Sequence, residues 1–319
     1  MIRDMEVQNN NIGTAIQYFR ETYHISQSKL CKGICSVSTL SRIEAGERNV
    51  DALILETLLE RLGKVPHQFE LILTDFDYNA YMCREEIKKK INQKDIEGAR
   101  KLIDEYDKLT TDKGTPHKQF TMVSRALLNE LEGGDPRTNI NLLIEAICCT
   151  VPDFNTNNEI TDYYLSVTEL NIILDILQKL IALGMDDVAD KVLNQVLDYL
   201  YRHRQMAHIR NIYIKVAVIA GNFFMKHDKI DQALEICDNG IKMYKGSRRM
   251  DYIGDLYYIK AILLEKKFDK TTEWEESRKK ECLKLYLQAY CIFDFCGESS
   301  KAENIRNHLR EVYEWEDIV

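Results

Sequence analysis

The chain has 319 residues, 45% of them apolar and 29% charged, with a formal charge of −8; it can bury a substantial core, which excludes intrinsic disorder. Fourteen glycines and four prolines are under half of average usage, too few for the closely spaced turns of a β-sandwich or barrel. No stretch of about 18 residues lacks charge, so no membrane span is expected, and the opening MIRDMEVQNN has no apolar core, so no signal peptide is expected and the nine cysteines should be thiols in a reducing cytosol.

Pro66, the first proline, divides two unlike segments. Residues 1–66 hold equal numbers of basic and acidic side chains, so the excess negative charge lies beyond them. Ile12, Ile16 and Phe19 mark the apolar face of an opening helix. Ser26 caps a second helix that starts at Gln27, turns Leu30 and Cys31 inward and is interrupted by Gly33. Ser36 caps a third helix over 37–45, stopped by Gly46, with Leu40 and Ile43 as its buried stripe. A fourth, over 51–62, carries Leu55, Leu58, Leu59 and Leu62 on one side. Residues 67–79 keep apolar side chains at 69, 72, 73 and 76, a spacing that predicts a linker helix rather than a flexible tether.

From about residue 80 the pattern is helix pairs joined by short polar turns. Residues 214–245 fit the tetratricopeptide signature, with Gly221, Phe224, Ala233 and Gly240 at its small, aromatic, small and small positions. Residues 170–201 match less fully: Ala189 is the close-packing alanine, and Leu177 replaces the usual small residue. Weaker units lie at 80–112 around Ala99, 120–152 around Ala146 and 254–297 around Ala261 and Ala289; a helix over 299–315 caps the stack. Each pair can bury its apolar stripe only against a neighbour, so an α-solenoid is expected. The predicted fold is all-α: a helix-turn-helix bundle over 1–66, a linker helix over 67–79, and about five tetratricopeptide-like pairs with a capping helix over 80–319.

The run from Ser26-Gln27 through Ser36-Val37-Ser38-Thr39-Leu40-Ser41-Arg42-Ile43-Glu44-Ala45-Gly46 to Arg48-Asn49 resembles the Cro/C1-type (XRE) helix-turn-helix family. The resemblance implies that the third helix reads DNA. Val37, Ser38 and Arg42 lie opposite Leu40 and Ile43. Arg42 suits a bidentate contact with guanine O6 and N7, and Val37 suits a thymine methyl. Gln27 and Ser36 are expected to hold phosphates. Thr39, Arg48 and Asn49 complete the DNA-contacting set. Val37, where a polar reader is frequent, and Val50, where proline is frequent, depart from the family pattern.

Catalytic constellations are missing from the sequence. It contains no G-x-x-x-x-G-K-[ST], G-x-G-x-x-G or H-E-x-x-H. Cys31/Cys35, Cys148/Cys149 and Cys291/Cys296 lack the paired spacing of zinc sites, and Cys31 and Cys35 read as packing in the turn. No enzyme, metal or cofactor is expected. The first helices of the later pairs are more informative. Asn171, Leu174 and Gln178 share one row, and Asn211, Lys215, Val218 and Asn222 share another, with Met225 beyond; Tyr258 and Ile262 fall on the next first helix. Side-chain amides offer a donor and an acceptor to an extended main chain, so these rows are candidate peptide-binding surfaces.

Glu145–Phe154 together with Glu169–Leu174 resemble the corresponding stretches of the RNPP/Rgg peptide-pheromone receptors, in the same order of modules and over nearly the whole chain. The resemblance implies a cytosolic homodimer that binds double-stranded DNA at a pseudo-palindromic operator under control of a short oligopeptide. Two rival readings stand beside it: a DNA-binding regulator whose repeats hold a protein partner or serve only dimerisation, and a response-regulator phosphatase or inhibitor.

Overall fold

The computed structural model describes residues 12–65, 74–156, 160, 163–244, 251–269, 271 and 274–315. Among the described residues there is no strand, and no helix is long and apolar enough to cross a membrane. Contacts divide the chain into two compact units, Met1–His208 and Ile209–Val319.

The first unit opens with α1 (Ile12–Thr22), α2 (Gln27–Cys31), α3 (Val37–Glu44) and α4 (Ala52–Arg61). Their starts follow from local chemistry. Ser26, Ser36 and Asp51 each accept a hydrogen bond from the backbone N–H three residues on, which satisfies an orphan donor at each N-terminus. Ile16, Leu30, Leu40, Leu58, Leu59 and Leu62 form the centre of this bundle without solvent exposure. A polar link also runs through it. Buried Glu44 receives Arg20 Nε and Nη2 at 2.6 and 2.9 Å and Gln27 Nε2 at 2.7 Å, which joins α3 to α1 and α2.

Helix pairs follow: α5 (Asp75–Asn92) with α6 (Ile96–Leu109), α7 (Thr115–Leu131) with α8 (Pro136–Thr150), and α9 (Val167–Ala182) with α10 (Asp186–Arg202). Ala99, Ala146 and Ala189 are completely buried at the expected close-packing positions. Of the linker helix expected over 67–79, residues 67–73 lie outside the described residues, and 75–79 form the first turn of α5.

The second unit contains most of α11 (Ala207–Lys226), then α12 (Ile230–Tyr244), α13 (Ile253–Phe268), a π-helical turn Trp274–Arg278, α14 (Lys279–Phe295) and α15 (Ser299–Tyr313). The tetratricopeptide positions do what their size requires. A Cβ on Gly240 would stand 2.8 Å from Leu256 Cδ1 and 3.1 Å from Ala217 Cβ, so only glycine lets α12 approach so closely. Buried Ala261, Ala289 and Ala302 continue the pattern into α13, α14 and α15.

Candidate nucleic-acid interface

Helix α3 presents the expected outer face. Leu40 and Ile43 anchor it in the core, while Val37 is 45% exposed and Ser38, Ser41 and Arg42 are open to solvent. Arg42 makes no side-chain hydrogen bond or ion pair among the described residues, so its fork of donors is available to a base edge. The first turn is braced. Ser36 Oγ accepts from Thr39 N at 3.1 Å and lies 2.9 Å from Thr39 Oγ1, and Arg48 Nη1 donates to Thr39 Oγ1 at 3.2 Å. Asn49 is exposed just beyond. Gln27, expected to hold a phosphate, donates one amide hydrogen to Glu44 at 2.7 Å, which leaves the other for a phosphate.

The DNA-reading bundle is fastened to the helix pairs of its own unit by a joint that the sequence reading missed. Arg61 and Glu169 are both 0% exposed in their side chains. Arg61 Nη2 and Nε donate to Glu169 Oε1 and Oε2 at 2.5 and 3.1 Å. Nη1 donates to Leu30 O and Lys32 O at 3.0 and 2.7 Å, and Nη2 also donates to Thr150 O at 3.1 Å. All five guanidinium hydrogens therefore have acceptors. Glu169 in turn accepts from Ser166 N at 2.7 Å as the third helical residue in the capping box that starts α9. Burial pushes the Glu169 carboxyl up, but the Arg61 charge and hydrogen bonds outweigh it and hold the carboxyl below its ordinary value. Two signals could have revealed the joint: a charged side chain inside the leucine face of α4, and the Ser166-x-x-Glu169 capping motif.

A second contact set reinforces it. Asp51 Oδ1 accepts from His117 Nε2 at 2.9 Å, and His117 Nδ1 lies 2.6 Å from the Tyr106 hydroxyl. Burial raises the Asp51 carboxyl, but His117 and the helix N–H groups bring it below its ordinary value. Ala52 N donates to Asp77 Oδ1 at 2.8 Å, and Thr115 Oγ1 donates to Gly33 O at 2.8 Å. Gly33 has φ +78° and abuts Thr150 O so closely that a Cβ there would overlap it.

The amide rows are only partly exposed surfaces. On α9, Gln178 is exposed and Asn171 half-buried. Leu174, expected on the same surface, is completely buried; α9 is enclosed on several sides, and Ile172, Ile173, Ile176 and Leu177 are buried with it. Gln178 lines a cavity of about 380 Å³ with Leu127, Glu130, Asn139, Asp175 and Lys179, between α7, α8 and α9. Across it, Lys179 Nζ pairs with Glu130 Oε2 at 2.7 Å. In the second unit Asn222 is exposed, and Lys215, Val218 and Met225 are half-buried on α11; the Asn211 side chain lies outside the described residues. Tyr258 and Ile262 are half-buried on α13. They pack on the core of α13, α14 and α15, with the Tyr258 ring 6.0 Å from that of Tyr286.

Comparison with known proteins fits this geometry. Residues 16–69 match the helix-turn-helix family model. No curated protein matches the chain by sequence. Among solved structures, Bacillus thuringiensis PlcR in complex with the peptide PapR7 and DNA is 18% identical, with a TM-score of 0.53 over 92% of this chain and 98% of that one. The apo form of the same protein is 16% identical, with a TM-score of 0.52 over 93% and 98%. The Streptococcus dysgalactiae SHP pheromone receptor Rgg2 is 14% identical, with a TM-score of 0.45 over 94% and 99%. The chain is thus an XRE-type helix-turn-helix module followed by tetratricopeptide-like helix pairs. Its fold is that of PlcR.

Proposed function

We propose that this protein is a cytosolic, homodimeric transcriptional regulator whose binding to a pseudo-palindromic operator is set by a short peptide held on its helix pairs. Residues 1–66 would form the DNA-binding domain, 67–79 the connection and 80–319 the ligand-binding domain. One recognition helix reads only a few base pairs, so two copies on a two-fold site supply the specificity. The observation that carries the control is on α9. Its first turn holds Glu169, locked to Arg61 of the DNA-binding bundle, and its later turns present Gln178 to the α7–α9 cavity. A peptide that engages Gln178 therefore acts on a helix whose other end is fixed to the DNA reader. The ligand shifts DNA binding only by its differential affinity for the two arrangements. The peptide and DNA in the PlcR complex support both partners.

Calorimetric titration of short peptides, with and without a duplex selected by the protein from a random pool, tests the reading. Peptide affinity that changes when the duplex is present supports it; binding of the duplex with no response to any peptide overturns the control. A second reading, a protein partner on the repeats, is favoured by Tyr78 and, one turn on along α5, Tyr81 and Met82, all of them exposed.

A further inference from the structure

Helix α14 packs on α13 and α15 and leaves another side open. Lys280, Lys284, Leu287, Cys291 and Phe295 follow one another three or four residues apart, so they share one face of α14. Lys280, Lys284 and Cys291 are exposed, and Phe295 is 79% exposed. Between this face and Tyr257 of α13 lies a slot of about 590 Å³. Its floor is apolar: Leu283, Leu287 and Tyr257 rest on the core of α13, α14 and α15. From Lys280 to Ile292 the slot runs about 18 Å along α14, or about three helical turns.

The charge of the slot is the reverse of the chain's. The protein carries −8 overall, yet both charged side chains of the slot, Lys280 and Lys284, are cations, and among the described residues no carboxylate lines it. Glu281, the acidic residue between them in sequence, is already held by Arg278 Nη1 at 2.7 Å and faces Lys260 Nζ at 3.8 Å. Neither slot lysine has an ion pair or hydrogen bond among the described residues.

This chemistry narrows the occupant. An extended peptide needs main-chain partners along its length, and besides its lysines the slot offers a single side-chain amide, Gln288. A helix has satisfied its own main chain and can lay an apolar stripe into such a groove. A second copy of this chain on a two-fold axis would bring the same lysines in from both sides, a meeting of like charges that opposes association. We propose that the slot between α13 and α14 docks an acidic amphipathic helix of a partner protein, its aliphatic side chains against Leu283, Leu287 and Tyr257 and its carboxylates on Lys280 and Lys284. This interaction goes beyond the peptide and DNA binding proposed above and depends on neither.

The test uses the full chain and a fluorescein-labelled probe of about 18 residues, long enough to form a helix in isolation, with leucines at helical spacing, glutamates flanking them and alanines elsewhere. A second probe has lysines in place of the glutamates, and a third has a central proline that breaks the helix. Anisotropy titrations should show saturable binding of the glutamate probe, at least about tenfold tighter than of the lysine and proline probes. Combining Lys280→Glu with Lys284→Glu should weaken the glutamate probe by at least about tenfold and turn the preference towards the lysine probe. The slot also carries its own reporter, which needs no variant. Cys291 lines it, and Cys296, also exposed, stands outside the lining. Bound glutamate probe should slow alkylation of Cys291 by N-ethylmaleimide, located by tandem mass spectrometry, and leave Cys296 as reactive as before. Absence of saturable binding, equal affinity for the glutamate and lysine probes, indifference to the reversed lysines, or an unprotected Cys291 overturns the docking site. Equal affinity for the proline probe assigns an extended ligand and overturns the helix. Self-association in sedimentation that protects Cys291 without any probe gives the slot to a second copy and overturns the partner protein.

Discussion

Arg61 and Glu169 meet across 108 residues with both side chains out of solvent, the guanidinium spanning the carboxylate at 2.5 and 3.1 Å. Removing one partner leaves the other charge buried, which typically costs about 3–5 kcal/mol. Arg61→Met should destabilise the chain by that amount in urea denaturation, and adding Glu169→Met should recover part of it. A single-variant loss under about 1 kcal/mol would contradict the buried geometry.

Acid should destabilise the protein in two stages. Burial holds the His208 imidazole down to about 4 from an ordinary 6.5. Between those values the unfolded chain binds a proton that the folded chain refuses, so stability falls as pH is lowered through that window. At about 1.4 kcal/mol per unit the loss is on the order of 3 kcal/mol. Glu169 and Asp51, held below the ordinary 4.5 and 3.8, stabilise the fold above those values and lose that contribution as pH falls further. Denaturation from about pH 7 to about pH 4 should show the first stage flattened in His208→Leu; an unchanged slope would assign it elsewhere.

Arg42→Ala should cost about 1–3 kcal/mol at one base position of each half-site, read by binding to single-base operator variants. Gln27→Ala should weaken every sequence alike. It should also lower stability, because Glu44 loses a donor.

Gln178→Ala should weaken peptide binding by about 1–3 kcal/mol through orphaned main-chain groups, with little change in unfolding. Leu174→Ala should do the reverse and lower stability by about 2–5 kcal/mol. Calorimetry and denaturation on the same samples separate the two; a peptide-specific effect of Leu174→Ala would return that residue to the ligand surface.

The elements that could be read from sequence were those fixed by neighbours in the chain. Ser36 and Gly46 bound the recognition helix because capping and left-handed backbone act within a few residues. Ala189, Ala233 and Gly240 marked helix pairs because close packing demands small side chains wherever it recurs. Leu174 was placed on an open surface because a row at helical spacing says which residues share a face. It does not say how many faces a helix buries, and α9 and α13 are covered on several. The joint was legible only as two separate local signals, the charge inside the leucine face of α4 and the Ser166-x-x-Glu169 cap. Arg61 stands out among leucines, but nothing local names a partner 108 residues away.

The buried joint also decides which part of this protein is portable. Chimeras of multi-module regulators are commonly cut where composition changes, and here that point is Pro66. Such a graft would pair Arg61 with whatever side chain the donor protein carries in place of Glu169, and would seat Gly33 against an unfamiliar backbone instead of Thr150. Exchange of DNA specificity should therefore succeed by altering Val37, Ser38 and Arg42 in place, or by moving Met1–His208 as one piece. A new operator preference can then arise by point substitution on α3, while the ligand side is free to diverge only where α9 keeps its first turn.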